Sequence, residues 1–149
     1  MTFDGFAIDV GWLIEQDDAD MLTIHSILSA VAAMCEDEAN LLVDVEGHIL
    51  GEYERYLGPH TIGRKILTHL MSAHRIGFHS GRLNAACEAC LDSDGFDPSD
   101  RAYVGVAARV GGAYVTHEAK HLDPSRVALV RERCGVHVIG SEGFLPPAQ

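Results

Sequence analysis

The amino-terminal third of this sequence has no positively charged side chain. Lys and Arg first occur at Arg55, and 13 of the 22 acidic residues of the chain precede it. A start without basic residues lacks the head of a secretory signal peptide. No apolar run approaches the roughly 18 residues of a membrane-spanning helix. These absences predict a cytoplasmic protein that does not enter a membrane.

Cysteine is also scarce. Its positions are scattered, and they are too few for a disulfide scaffold in a chain of this length; they are Cys35, Cys87, Cys90 and Cys134. Reduced thiols are the simpler expectation. As an alternative, Cys87 and Cys90 form a C-x-x-C pair that His74 and His79 can complete as a zinc site, although a structural zinc site normally shows two matched pairs.

Helical and strand patterns alternate along the chain. The predicted strands cover 5–14, 41–44, 75–81 (a short strand or a loop), 113–116 and 136–139. The predicted helices cover 18–35, 49–57, 61–74, 84–91, 100–109 and 123–133. No repeat or linker divides residues 1–149, so we predict one three-layer α/β domain with a mostly parallel central sheet flanked by helices.

The stretch from Phe96 to Asp123 carries carboxylates on both sides of one helix and one strand. Asp97 to Asp100 reads as a helix start, with Pro98 in the first turn, and the buried strand 113–116 turns polar just before Glu118. Carboxyl ends of parallel strands are where open α/β sheets place their sites. Asp100 and Glu118 are therefore expected at one edge of the sheet.

Asp9 interrupts the first apolar run, Gly5 to Ile14. A charge inside a central strand is costly unless it is paired or binds metal. Together with Glu52, on the helix after the second strand, Asp9 joins the two carboxylates above in one predicted cleft, and Asp97 lies beside it. Gathered carboxylates repel each other unless a hard cation lies among them, which predicts Mg²⁺ or Mn²⁺. The alternative is a set of unrelated capping and surface carboxylates.

The segment from His117 to His121 matches the H-E-x-x-H pattern of zinc proteases. That pattern needs a continuous helix with both imidazoles on one face. Here it follows a strand directly and meets Asp123-Pro124, which disfavours helix. We expect both histidines to be exposed and not to bind zinc.

The middle third is the only block where positive charge dominates. From Arg55 to Cys87 there are five basic residues and no acidic one. This block predicts contacts with a phosphate backbone, or alternatively a solvated helix face. The residues predicted to bind substrate are Arg64, Lys65, Arg75 and Arg82, with Thr116 at the end of its strand.

These segments, in this order, resemble a PIN domain, the metal-dependent nuclease fold related to flap endonucleases. The resemblance spans nearly the whole chain and rests on the segments AIDVGWLI, LLVDVEGHILGEYERYL, FDPSDRAYVGVA, AYVTHE and GVHVIGSEGFL. It implies that Asp9, Asp100 and Glu118, with Asp97, bind Mg²⁺ or Mn²⁺, and that Glu52 completes the metal shell or orients the attacking water.

The resemblance further implies hydrolysis of single-stranded RNA or another phosphodiester. Many small PIN domains are toxins of toxin-antitoxin pairs, which implies an antitoxin-like protein partner or a homodimer. Val10 and Gly11 stand where the family usually has a small hydroxyl residue and Asn, and Glu118 stands where Asp, Asn or Ser is common. These departures favour an alternative, a catalytically impaired module that binds protein or nucleic acid.

Overall fold

The computed structural model describes residues 3–146, in which strands alternate with helices. The strands are β1 (Gly5–Ile8), β2 (Asn40–Asp44), β3 (Ile76–His79), β4 (Ala113–Val115) and β5 (His137–Ile139). The helices are α1 (Val10–Glu15), α2 (Met21–Glu36), α3 (His48–Tyr56), α4 (Ile62–Ser72), α5 (Ala85–Asp94), α6 (Arg101–Val110), α7 (Pro124–Cys134) and α8 (Ser141–Phe144). Short 3-10 turns cover Gln16–Asp18, Pro98–Asp100 and Ala119–His121. Of the helices in this part of the chain, none combines the length and the hydropathy that crossing a bilayer requires.

All five strands are parallel and form one sheet in the order β3-β2-β1-β4-β5. The chain builds outward from β1 through β2 to β3, then crosses back to place β4 on the other side of β1. The direction of winding therefore reverses between β1 and β4. The predicted three-layer α/β class with a parallel sheet is confirmed.

The helices cover the sheet and bury a core rich in aromatic side chains. Helix α6 packs on β1 and β2, α3 on β2, and α7 on β5, while α5 packs on α7. The aromatic residues at the centre are fully buried; they are Trp12, Tyr53, Tyr103 and Tyr114. Two of them also form hydrogen bonds. The Tyr53 hydroxyl donates to the carbonyl of Ile8, and the Trp12 indole donates to the hydroxyl of Ser141 at 2.9 Å.

Two element boundaries differ from the sequence prediction. Strand β1 ends at Ile8, and Asp9 begins helix α1 instead of lying inside a strand. The residues after Asp9 that looked like more strand, notably Trp12 and Leu13, are buried because α1 packs against α3 and α4. Helix α5 continues through Asp94, where a turn was predicted, and ends at Gly95 in the left-handed conformation (φ 71°).

A disulfide joins α5 to α7. Cys87 and Cys134 are bonded, with 4.7 Å between their Cα atoms, and the expectation of four reduced thiols is wrong for this pair. The bond also removes Cys87 from the proposed zinc site with Cys90, His74 and His79. Cys90 is a buried free thiol and Cys35 a half-buried one. Their burial is typical of small apolar side chains in a core.

The disulfide should contribute measurably to stability. It spans 47 residues of sequence, so breaking it releases a large loop in the unfolded chain. We expect Cys134→Ser, or reduction of the parent, to lower the free energy of unfolding by about 2 to 4 kcal/mol. Urea denaturation with and without a phosphine reductant measures this difference. The matched control is Cys35→Ser, which should respond to the reductant as the parent does; equal midpoints for the oxidised and reduced parent would contradict the expectation.

Candidate metal centre

Three of the predicted carboxylates converge where the winding of the sheet reverses. Open parallel sheets leave a crevice outside the carboxyl ends of the strands at such a point. Asp9 follows β1 directly and its amide donates to Val115 of β4 at 2.9 Å. Glu118 lies three residues beyond β4, and Asp100 precedes α6, which packs on β1. The topology therefore brings side chains that are distant in sequence to one place.

Asp100, Glu118 and His121 form the tightest group. Nε2 of His121 lies 3.1 Å from a carboxylate oxygen of Asp100 and 3.4 Å from one of Glu118. One atom from each residue lies within 4.8 Å of the other two. Asp100 and His121 are buried, and the side chain of Glu118 is partly open to solvent. Two carboxylate oxygens and one imidazole nitrogen at this separation can hold a metal ion.

Asp9 stands beside this group and feels its charge. Its residue is only 4 % exposed. Burial, followed by the negative charge of Asp100, raises the pKa of Asp9 to about 6. The backbone amide of Gly11 and the imidazole of His117 act in the opposite direction but do not cancel these effects. A carboxylate with a pKa this high is electrostatically strained at neutral pH and gains from a nearby cation.

Two buried polar atoms at the centre lack partners within the described chain. The hydroxyl of Tyr114 and Nδ1 of His121 make no hydrogen bond, although both residues are almost wholly buried. Burial, then the charges of Asp9 and Asp100, raises the pKa of Tyr114, so its hydroxyl lies near the carboxylates. Buried polar groups without partners are uncommon and mark places where something else binds. The donor set and these free atoms therefore fit a cation site.

His117 occupies the space next to Asp9. Its Nδ1 lies 3.6 Å from a carboxylate oxygen of Asp9. A Cβ atom placed on Gly11 would lie 2.3 Å from the His117 ring, so the ring uses the room that the missing side chain leaves. An imidazole that can carry positive charge thus faces Asp9 at this position.

Glu52 lies one side chain away from the carboxylate group. Its Oε1 accepts a 2.7 Å hydrogen bond from Tyr103, whose hydroxyl in turn accepts from the amide of Val10 at 3.3 Å. Tyr103 therefore connects Glu52 to the residue that follows Asp9. On its other side Glu52 lines an open cleft of about 460 Å³, together with His48, Gly51, Arg55, Tyr56 and Ser99. Ser99 precedes Asp100, so the cleft borders the carboxylate group.

The predicted basic block does not surround this site as a unit. The guanidinium of Arg64 donates to the carbonyl of Leu57 at 2.6 Å and closes the end of α3. Arg75 precedes β3 at the amino edge of the sheet, opposite Asp9, and its role in binding substrate stays a prediction. Lys65 lines an apolar cleft between α2 and α4. Arg82 is exposed in the loop after β3, on the carboxyl edge, and its role stays a prediction.

Thr116 and Asp97 have structural contacts of their own. Thr116 is fully buried, and its hydroxyl accepts a 3.2 Å hydrogen bond from the amide of Glu118, which orients Glu118. Its contact with substrate stays a prediction. Asp97 is exposed and pairs with Lys120 at 3.4 Å. Lys120 also lies 3.4 Å from Glu118. The assignment of Asp97 as a metal ligand stays a prediction.

His121 is the site residue that the sequence reading missed. No helix carries the H-E-x-x-H segment, which is extended from Thr116 to Glu118 and then makes a 3-10 turn, as expected for a chance match to the protease pattern. The expectation that both histidines are exposed is nevertheless wrong for His121, which is 1 % exposed. The turn places His121 three residues from Glu118, which is how both reach Asp100. The signal in the sequence that could have identified His121 is the Glu-x-x-His spacing, which lets Glu118 and His121 lie on the same side of one turn.

Comparison with known proteins adds no assignment. No family model, no curated protein and no solved structure matches this chain.

The raised pKa of Asp9 predicts that removing its charge increases the stability of the protein, by an amount that depends on pH. The pKa moves from 3.8 to about 6 on folding, so the folded state binds the proton more tightly than the unfolded state does. The unfavourable contribution is complete above about pH 6 and disappears as the pH falls toward 4. In EDTA at pH 8, we therefore expect Asp9→Asn to raise the free energy of unfolding by up to about 3 kcal/mol.

Urea denaturation of parent and variant at pH 8 and at pH 4 measures this effect. The gain should shrink toward zero at pH 4, and millimolar Mn²⁺ at pH 8 should stabilise the parent more than the variant. Asp18→Asn, at an exposed position, is the matched control and should change little. If Asp9→Asn is less stable than the parent in EDTA at pH 8, then Asp9 is a structural acceptor and not a strained ligand.

Proposed function

We propose that this protein is a metal-dependent phosphodiesterase of the PIN type that cleaves single-stranded RNA. The observation that carries the proposal is the convergence of Asp9, Asp100 and Glu118 at the reversal point of a parallel sheet, with Asp9 strained by burial and by its neighbours' charge. The parallel sheet flanked by helices and the order of these carboxylates along the chain support the proposal, since the resemblance implies both.

Asp9, Asp100 and Glu118 are the residues that would hold a divalent cation. Such a cation supplies a Lewis acid that favours attack of water on a phosphodiester. The amide of Gly11 and the imidazole of His117 partly offset the charge of Asp9, and in this proposal His117 supports Asp9 where the family usually has Asn. Thr116 fixes the start of Glu118 through its hydroxyl. Residues that contact the metal ligands without binding the metal orient those ligands.

The cleft lined by Glu52 and Ser99 is where we place the substrate. Tyr56 presents a half-exposed ring there, and the guanidinium of Arg55 lies 5.8 Å from its centre. Exposed aromatic rings stack on bases without sequence preference, and a neighbouring Arg adds charge toward a phosphate. Glu52, held by Tyr103, faces the same cleft and is placed to accept a proton from a water molecule. The net charge of −11 predicts weak, salt-sensitive binding outside this cleft.

One observation favours a second candidate, a protein-binding module. Between Met21 and Cys35, most of helix α2, there is no Asp, Glu, Lys or Arg. Met21 is 80 %, Leu22 63 % and Leu28 64 % exposed. A cleft of about 430 Å³ runs beside this face, lined mainly by Ile24, Leu28, Ile62 and Ile66. Exposed apolar surface that is grouped in this way is typical of an interaction site.

Charge decides what fits this face. Acidic residues flank α2 at both ends, at 17–20 and at 36–38. A second copy packed antiparallel on α2 would bring these like charges together. The complementary occupant is an amphipathic helix of another protein, with an apolar face and Lys or Arg at each end.

The nuclease proposal is tested by single-turnover cleavage of a pooled single-stranded RNA library with Mn²⁺ and with EDTA. We expect cleavage only with metal, and a loss of at least about 100-fold in Asp100→Asn, since even the outer partners of a metal ligand are worth 10–100-fold. Metal-dependent cleavage that survives in Asp100→Asn would refute the site.

Two further variants locate the substrate. Tyr56→Ala should weaken RNA binding by about 1 to 3 kcal/mol because one stacked base is lost. Arg75→Ala, at the opposite edge of the sheet, is the matched control and should bind and cleave as the parent does. Fluorescence anisotropy with a labelled oligonucleotide measures both. If Arg75→Ala weakens binding more than Tyr56→Ala, the RNA does not lie in the cleft.

The second candidate is tested with a synthetic amphipathic helix that has a Leu and Ala face and Lys at both ends. We expect it to bind the parent, to bind more weakly at high salt, and to lose binding in Leu28→Glu because the apolar face is interrupted. A peptide with Glu at both ends should not bind. Equal binding of the two peptides would contradict the role of the flanking charges, and a dimeric parent in light scattering would point to self-association instead.

A further inference from the structure

The nitrogen of His121 sits where an oxygen ligand would be expected. Its Nε2 faces Asp100 at 3.1 Å and Glu118 at 3.4 Å, so both carboxylates converge on this atom. The ring is buried, and no water shell competes for the nitrogen. The donor set that the chain presents is thus mixed, with two carboxylates and one imidazole.

Stacking on Phe96 and a hydrogen bond to Asp100 together fix the direction in which Nε2 points. The His121 ring lies on Phe96 with 4.0 Å between ring centres and 17° between planes. On its far side, Nδ1 has no hydrogen-bond partner among the described residues. The hydrogen bond to Asp100 places the ring hydrogen on Nε2 as long as no cation is bound. Because Nδ1 has no partner among the described residues, the hydrogen can move to Nδ1 when Nε2 binds a cation.

The unpartnered hydroxyl of Tyr114 is a separate sign that the group binds something. It is fully buried and lies close enough to Asp9 and Asp100 to feel their charge. The hydroxyl can contact a water or a ligand held among the carboxylates.

We propose that His121 is a metal ligand through Nε2 and that this centre selects a first-row transition ion such as Mn²⁺ over Mg²⁺. This proposal rests on the cation site of the proposed function and adds which ion binds there. Mg²⁺ prefers oxygen ligands and keeps its waters, whereas imidazole nitrogen binds transition ions more strongly. An all-carboxylate centre would discriminate less between the two.

Electron spin-echo envelope modulation of Mn²⁺ bound to the parent tests the ligand directly. A coordinated imidazole nitrogen gives a ¹⁴N coupling to the Mn²⁺ electron spin, and we expect this coupling in the parent and in the control His25→Gln. We expect it to be absent in His121→Gln, whose amide oxygen falls near the position of Nε2. This measurement on the parent needs no variant, so a variant that fails to fold does not decide it.

Competition between Mn²⁺ and Mg²⁺, followed through the signal of free Mn²⁺, tests the selection. We expect the parent to prefer Mn²⁺ by at least about tenfold. His121→Gln should lose about 10–100-fold in Mn²⁺ affinity and much less in Mg²⁺ affinity, so that the preference collapses.

The outcomes separate this inference from the proposed function. Mn²⁺ that binds without a nitrogen coupling, or with no preference over Mg²⁺, overturns the role of His121 and leaves the carboxylate site standing. A nitrogen coupling in a protein that cleaves no RNA supports the ligand and counts against the nuclease. A parent that binds neither ion overturns both.

Discussion

The burial of carboxylates that also repel each other is the constraint on which the rest of this structure depends. Asp9 and Asp100 are almost fully removed from solvent, and burial and then the charge of Asp100 raise the pKa of Asp9 to about 6. A chain tolerates such a group only if nearby dipoles and cations offset part of the cost. Here the amide of Gly11 and the imidazole of His117 do so for Asp9, and His121 does so for Asp100.

The sheet determines why these charges meet at all. Asp9 and Glu118 follow neighbouring strands that are more than a hundred residues apart in sequence, and parallel pairing places both strand ends at the same edge. Two buried tyrosine hydroxyls form hydrogen bonds to the residues on either side of Asp9. Tyr53 binds the end of β1, and Tyr103 connects the start of α1 to Glu52. Tyrosines of the core therefore also help to position the polar residues at the carboxyl edge of the sheet.

Much of this arrangement was readable from the sequence because it follows from local patterns. Short β-branched runs between helical segments predicted the parallel sheet. The helix start at 97–100 and the polar turn after the strand 113–116 predicted that Asp100 and Glu118 meet at one edge. What failed depends on contacts that no local pattern contains. His121 looked exposed because its burial comes from Phe96, a residue of another segment. The pairing of Cys87 with Cys134 likewise depends on how α5 docks on α7.

Charge counted along the sequence was the least reliable guide. The run of basic residues after Arg55 suggested one phosphate-binding surface, yet the fold assigns its members to separate tasks. Arg64 closes a helix end, and Arg75 lies at the far edge of the sheet. A run of basic residues in the sequence forms a basic surface only when the segment folds as one continuous face. Here the run is divided between a helix and a strand.

The contact between Gly11 and His117 links two positions that are far apart in the sequence. Any side chain at position 11 would overlap the imidazole, so a larger residue there is compatible only with a displaced or smaller residue at position 117. The two positions are thus epistatic. A side chain at position 11 therefore removes the contact between His117 and Asp9, because the ring must move away or be replaced.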